Sequence, residues 1–180
     1  MALPVACHKV IDLNWKIAYG VLYTAQRLSS FGLAVPLPCF CGVPVESLEH
    51  LFFSCALAQS VLSWVQSLMF CYSPMCPVLF PRHLLFGFRS DEPVVISHIF
   101  VYTLNVSKFC IWQSRNNSRF RNTLPGAVAV IASIEARLKF YLPILFKRFK
   151  SDRRRLFFHR QWGARGTIAS VVNRSLVFSI

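Results

Sequence analysis

Apolar residues recur at helical spacing along most of the first 150 positions. Between residues 10 and 28 they stand three or four apart, which predicts one amphipathic helix that ends near Gly32; its apolar stripe is Val10, Leu13, Ile17, Val21, Ala25 and Leu28. Residues 34–44 carry three prolines and a glycine, so they are predicted to form a loop. The next apolar stripe predicts a helix over Ser54–Met69, with Ser54 as its N-cap.

Two longer helices are predicted in the second half of the chain. Residues 90–93, Ser-Asp-Glu-Pro, combine a capping residue, two acids and a proline, and so predict a helix start that continues to about Arg115. Residues 123–125, Thr-Leu-Pro, open another helix that reaches Phe149, with Pro143 expected to kink it. Beyond Ser151 the periodicity fails.

Composition and charge narrow the range of functions. The chain has 180 residues, of which 54% are hydrophobic, so it can bury a core but is too short for a polymerase with its own nuclease. Twenty Lys and Arg against seven Asp and Glu give a net charge of +13. Such an imbalance indicates a polyanionic partner, which is either nucleic acid or an anionic membrane surface.

The membrane alternative depends on residues 93–112, which are long enough to span a bilayer. That window contains His98, Asn105, Ser107 and Lys108, and a charge near the bilayer centre costs about 2.5–3.5 kcal/mol, so a buried helix is favoured and a membrane partner is disfavoured. The first sixteen residues have no apolar run of secretory length. We therefore expect an intracellular protein with reduced thiols, in the nucleus, the cytoplasm or both.

Three cysteines and one histidine form the candidate chemical site. Cys39, Cys41, His50 and Cys55 lie within seventeen positions of a Pro- and Gly-punctuated segment, and they supply the four sulfur and nitrogen donors that a tetrahedral Zn²⁺ site requires. His50 and Cys55 would point about 140° apart on a regular α-helix, so a break between them is predicted. In the alternative reading the cysteines are small core residues.

Basic residues concentrate after residue 115. Residues 115–165 hold thirteen Lys or Arg and two acids, which accounts for +11 of the net charge. Cations beside aromatic rings are typical of proteins that bind single strands, and the predicted nucleic-acid-binding residues are Lys147, Arg148, Lys150, Arg153, Arg154, Arg155, Arg160, Trp162 and Arg165. For Phe157, Phe158 and Trp162, core packing is an equal alternative, whereas Phe140, Phe146 and Phe149 are assigned to the helix core. Residues 147–155 also fit a nuclear localisation signal.

The sequence resembles a known family. Residues 39–42, Cys-Phe-Cys-Gly, followed by Glu-Ser-Leu-Glu-His at 46–50 and by Cys55, are similar to the zinc-binding region on the C-terminal side of reverse transcriptases of LINE-type (non-LTR) retrotransposons. The specific similarity covers residues 10–70, although the family more often has two residues between its first two cysteines. The resemblance implies a Zn²⁺-loaded, non-catalytic module that assists template RNA or target DNA handling, with the polymerase portion of the same element as a further candidate partner.

No active site is predicted, because the chain lacks a Tyr-x-Asp-Asp polymerase signature and seven scattered acids do not supply a two-metal nuclease. The expected fold is mainly α, with a small zinc-knuckle and helical subdomain, a bundle of two or three helices and a basic tail. The expected bounds are a reverse-transcriptase-type zinc-binding domain at 8–70, a Pro-rich connector at 71–92, a helical region at 93–150 and a basic, partly disordered tail at 151–180. Two alternatives stay open: a cationic membrane-associated helical protein, and an inactive fragment of a degenerate transposon open reading frame.

Overall fold

The computed structural model describes residues 8–36, 38–88, 98–124 and 126–180, and this part of the chain is mainly helical, as the periodicity predicted. The elements are α1 (His8–Ala18), α2 (Ala25–Ser30), a π-helix (His50–Ser54), α3 (Ala56–Tyr72), α4 (Pro81–Phe86), α5 (His98–Arg121), α6 (Ala127–Phe146), α7 (Asp152–Gln161), a 3-10 turn (Ala164–Gly166), β1 (Ala169–Val172) and β2 (Ser175–Phe178). The two strands form an antiparallel hairpin that pairs Ala169 with Phe178.

Helix α5 lies at the centre of the fold and packs against α1, α3 and α6. Val61 and Val65 of α3, Ile111 of α5, and Ile134 and Leu138 of α6 are all fully buried in one hydrophobic cluster. The cysteine-containing N-terminal part and the later helices therefore share a core.

The single helix expected over residues 10–32 is divided into α1 and α2. Gly20 has a φ of +64°, and the Gly20 and Val21 amides donate to the Ile17 and Lys16 carbonyls, which is the pattern of a Schellman C-cap. Thr24 then caps α2 by accepting a hydrogen bond from the Arg27 amide at 3.3 Å. The apolar spacing continues across this turn, which is why periodicity alone merged the two helices.

The segment after residue 151, which is predicted to be a partly disordered tail, contains α7, the 3-10 turn and the hairpin in the structure. Ser151 caps α7, and the elements that follow bury Phe158, Trp162, Ile168 and Ala169. Phe158 lies in α7 and Ala169 in β1, whereas Trp162 and Ile168 lie in the segments between elements, so the four side chains show no common period in the sequence. The expected Pro-rich connector likewise contains α4, which begins at Pro81 and buries Leu84 completely.

The start of α5 predicted at residues 90–93 lies outside the described part of the chain, whereas its C-terminal end is at Arg121. Helix α6 carries Pro143 but ends at Phe146, three residues before the predicted end. Among the described residues, no helix combines the length and the apolar character needed to cross a bilayer.

Lys108 of α5 is buried, with 4% of its surface exposed, and its Nζ donates to the Leu84 carbonyl at 2.7 Å. Desolvation by burial lowers the pKa of Lys108 from 10.5 to about 8. Between these values the unfolded chain binds a proton that the folded chain does not, so this group makes folding more favourable as pH rises from 8 to 10.5. Below pH 8 both states are protonated and the dependence disappears.

We expect Lys108→Met to abolish this dependence. Urea unfolding at pH 7.5 and at pH 10.5 measures the dependence. Between these two pH values the unfolding free energy of the wild type, relative to that of the variant, should rise by up to about 3 kcal/mol. Thiol titrations occur in both proteins and cancel in the difference. Parallel pH profiles for the two proteins would contradict the assignment.

Candidate metal centre

Four donor atoms meet where the loop after α2 folds back onto the π-helix. The sulfurs of Cys39, Cys41 and Cys55 and a ring nitrogen of His50 all lie within 4.8 Å of one another. Cys39 Sγ is 3.9 Å from Cys55 Sγ, and Cys41 Sγ is 3.2 Å from His50 Nε2. Zinc bonds of about 2.3 Å to sulfur and 2.0–2.1 Å to nitrogen place tetrahedral ligands roughly 3.5–3.8 Å apart, so this donor set fits Zn²⁺. The assignment of these four side chains as ligands stays a prediction.

A tight turn allows Cys39 and Cys41 to reach the same point although one residue separates them. The Gly42 amide donates to the Cys39 carbonyl, and the Cys39 amide donates to the Val43 carbonyl, both at 2.9 Å. Gly42 closes the turn with a φ of +91°, a conformation that side-chain-bearing residues seldom adopt. The spacing that departs from the family pattern is therefore compatible with a shared metal.

The predicted break between His50 and Cys55 takes the form of a π-helix. The Cys55 amide donates to the His50 carbonyl at 2.7 Å, which closes a five-residue turn, and Cys55 itself is extended with a φ of −66° and a ψ of 138°. This wider turn brings the two side chains to one side of the backbone. Ser54 ends the π-helix, so the N-cap position of α3 belongs to Cys55 and the prediction of Ser54 as N-cap is wrong.

Hydrogen bonding and burial distinguish the thiols. Cys39 and Cys55 are buried, whereas Cys41 is exposed. The hydrogen bond between Cys39 and Cys55, together with burial, raises the pKa of Cys39. The same hydrogen bond lowers the pKa of Cys55. Cys55 is therefore the member of the pair that ionises first.

The structure also identifies a carboxylate that the search for ligands missed. Glu46 is buried between α5 and the loop that carries Cys39 and Cys41, which we call the cysteine loop. Its carboxylate accepts hydrogen bonds from the Ala25 amide and from the Arg115 guanidinium. Arg119, one turn further along α5, lies 3.6 Å from the same carboxylate. A useful signal was the scarcity of acids: two of only seven, Glu46 and Glu49, stand between Cys41 and His50.

The other cysteines of the described chain do not join this cluster. Cys71 is exposed near the end of α3 and Cys76 is buried in the segment that follows. Neither belongs to the group of donors found around residues 39–55 in the described chain.

Comparison with known proteins agrees with the donor set. Residues 4–62 match the family described as zinc-binding in reverse transcriptase. The resemblance seen in the sequence is thereby confirmed, and we call residues 4–62 the zinc-binding region. The chain is also 29% identical over 168 residues to the Transposon TX1 uncharacterized 149 kDa protein of Xenopus laevis, an alignment that covers 89% of this chain and 12% of that protein. The chain thus spans about an eighth of this relative's length. No solved structure matches the chain.

The predicted nucleic-acid-binding cations lie far along the chain from the zinc-binding region: between α6 and α7, in α7 and, for Arg165, in the 3-10 turn. Seven of them are exposed, and the five within residues 147–154 form what we call the basic surface: Lys147, Arg148, Lys150, Arg153 and Arg154. Arg155 is half-buried and lies 3.6 Å from Asp152, whereas Arg165 lies over the ring of Tyr72. Arg160 is exposed on α7.

Trp162 is wrongly assigned as a base-stacking residue, because its side chain is 4% exposed. Its ring packs against His98, Tyr102 and Tyr141 with centroid distances of 5.7–6.3 Å. Phe158 is also buried, which settles the open alternative for both rings in favour of core packing. Phe157 stays 45% exposed, while Phe140, which was assigned to the core, is exposed.

Proposed function

We propose that the chain is a non-catalytic accessory region of a retrotransposon reverse transcriptase that binds one Zn²⁺ and contacts RNA or DNA. The observation that carries the proposal is the convergence of three sulfurs and one imidazole nitrogen within 4.8 Å inside the zinc-binding region. Four protein ligands complete the coordination of zinc and leave no position for water or substrate. Such a site supplies folding energy and is structural.

Cys39 and Cys41 would hold the loop to the metal, while His50 and Cys55 would hold the π-helix and the start of α3. Bound zinc supplies a cross-link between the loop and the π-helix, with the cysteines as deprotonated thiolates and the histidine as a neutral imidazole. Because the described residues of the loop between α2 and the π-helix form no helix or strand, this cross-link would fix the conformation of the loop.

Contact with nucleic acid would occur through the basic surface. Exposed cations in the segment between α6 and α7 and in the first turn of α7 can neutralise successive phosphates, and the exposed ring of Phe157 can stack on an unpaired base. The expected partners are RNA or DNA single strands and the polymerase portion of the same element. The expected location is the nucleus, the cytoplasm or both.

Removing two cations from the basic surface should weaken nucleic-acid binding. For the double variant Arg153→Gln/Arg154→Gln we expect affinity for a fluorescent single-stranded RNA to fall on the order of tenfold at low salt. The slope of log affinity against log salt should become shallower by about 1.4, since each lost phosphate contact removes about 0.7. Fluorescence anisotropy over a salt series measures both quantities.

The charge-matched control is Lys9→Gln/Arg174→Gln, which also removes two exposed cations but lies outside the basic surface. It should retain nearly the wild-type slope. Equal losses in both double variants would show that net charge alone attracts the strand, and the assigned surface would be wrong. If the wild-type protein showed no measurable binding to RNA or DNA but bound anionic vesicles, the proposed function would be contradicted.

A further inference from the structure

We propose that Arg115 and Arg119 of α5 are positioning residues of the metal centre, so that metal binding and the docking of the cysteine loop on α5 are one coupled event. This inference rests on the proposed zinc site and extends it to residues outside the zinc-binding region. It implies that residues 4–62 do not contain everything the centre needs.

Glu46 is the connecting residue. Its side chain is 1% exposed and faces two elements: the Ala25 amide donates to it at 3.3 Å, and Arg115 Nε donates to it at 2.9 Å. Arg115 Nη2 also donates to the carboxylate, so the guanidinium contacts it through two nitrogens. The Glu46 carbonyl accepts from the Gln26 amide at 3.2 Å, which attaches the backbone of the loop to α2 as well.

Arg119 holds the other side of the same loop. Its Nη1 donates to the Pro36 carbonyl at 2.9 Å and its Nη2 donates to the Pro38 carbonyl at 3.3 Å, immediately before Cys39. The two arginines therefore attach α5 to the segments on both sides of the Cys39–Gly42 turn. No regular secondary structure supports the described residues of this loop, so their position depends strongly on these contacts.

The charges make the coupling selective. Arg115 and Glu46 are both buried, so the loss of Glu46 leaves a buried guanidinium without its carboxylate, and the loss of Arg115 leaves the buried carboxylate with only the longer 3.6 Å contact to Arg119. If the loop shifts to relieve that charge, Cys39 and Cys41 move with it, because they lie between Pro38 and Glu46. Residues that orient metal ligands usually change metal affinity 10- to 100-fold when they are replaced.

Cobalt titration of the full chain tests the inference, since thiolate-bound Co²⁺ absorbs and reports both affinity and ligand geometry. We expect Glu46→Gln and Arg115→Gln each to weaken Co²⁺ binding 10- to 100-fold, and the double variant to bind no more weakly than the weaker single variant. Arg115→Lys should recover part of the loss, since it restores the charge but not the two-nitrogen contact. Arg119→Gln leaves the Glu46–Arg115 pair intact and should lower Co²⁺ affinity several-fold. This variant tests the inference even if the Arg115 variants do not fold.

Two controls separate coupling from general destabilisation. Arg137→Gln removes an arginine that lies over Phe109 and donates to Gln113, away from the loop, and Ile134→Val trims the shared core. Both should bind Co²⁺ within twofold of the wild type. Because coupling is reciprocal, metal binding should also stabilise the part of α5 on which the loop docks. Metal should therefore slow hydrogen exchange of the amides of residues 112–121 in the wild type, and much less in Glu46→Gln.

The outcomes distinguish the two proposals. If the wild type binds no metal, the proposed zinc site itself fails. If the wild type binds metal tightly while the Glu46, Arg115 and Arg119 variants stay within twofold, the zinc site stands and the coupling to α5 is wrong. Equal losses in the Ile134→Val control would also overturn the coupling, because loss of stability alone would then explain the effect.

Discussion

Cys55→Ser is expected to lose most of the bound zinc and to destabilise the zinc-binding region. Serine cannot supply the sulfur that zinc prefers, so affinity should fall by more than the 10- to 100-fold expected for residues outside the ligand shell. Binding energy at a structural zinc site is folding energy, and a 100-fold loss of affinity at saturating metal removes about 2.7 kcal/mol of stability. Metal analysis of the purified chain and urea unfolding in the presence of zinc measure the two effects.

Cys71→Ser is the matched control, because Cys71 is an exposed thiol on α3 outside the donor cluster. It should keep about one zinc per chain and change stability by less than about 0.5 kcal/mol. If Cys55→Ser retained wild-type zinc content, or if Cys71→Ser lost it, the assignment of ligands would be wrong.

Trp162→Ala should have a comparably large effect, but on folding and not on binding. The indole is buried among His98, Tyr102 and Tyr141, and truncation of such a ring costs about 3–5 kcal/mol. Because the ring does not face solvent, the folded variant should bind single-stranded RNA within twofold of the wild type. Urea unfolding and anisotropy under conditions in which the variant is folded give the two values.

Phe157→Ala provides the contrasting case. Its ring is 45% exposed, so the loss of stability should stay below about 1.5 kcal/mol. If the ring stacks on a base, the variant should lose about 1 kcal/mol or more of binding energy. A large loss of RNA affinity in folded Trp162→Ala, with none in Phe157→Ala, would contradict the roles assigned to the two rings.

Periodicity predicted most helices but missed the points at which local chemistry interrupts them. The stripe from Val10 to Leu28 continues through Gly20, whose left-handed conformation ends α1 although the apolar spacing does not change. After residue 151 the reverse holds: Phe158, Trp162 and Ile168 are buried, but only Phe158 lies in a helix, and the other two lie in the segments between short elements. Periodicity requires several turns of one element, so it could not detect this part of the core.

The donor set was more predictable than its surroundings. Cys39, Cys41, His50 and Cys55 share a short segment, and the need to bring His50 and Cys55 together predicted a break that the π-helix provides. Glu46 and Arg115 lie 69 positions apart, and their pairing depends on how α5 docks on the loop. No local pattern reports a contact of that range, which is why the positioning residues emerged only from the structure.

Zinc K-edge X-ray absorption of the purified 180-residue chain tests the central claim most directly. The account predicts one zinc per chain, bound by three sulfurs at about 2.3 Å and one nitrogen at about 2.0–2.1 Å. A chain that retains no zinc after purification in zinc-containing buffer, or a zinc shell made only of oxygen and nitrogen, would contradict it.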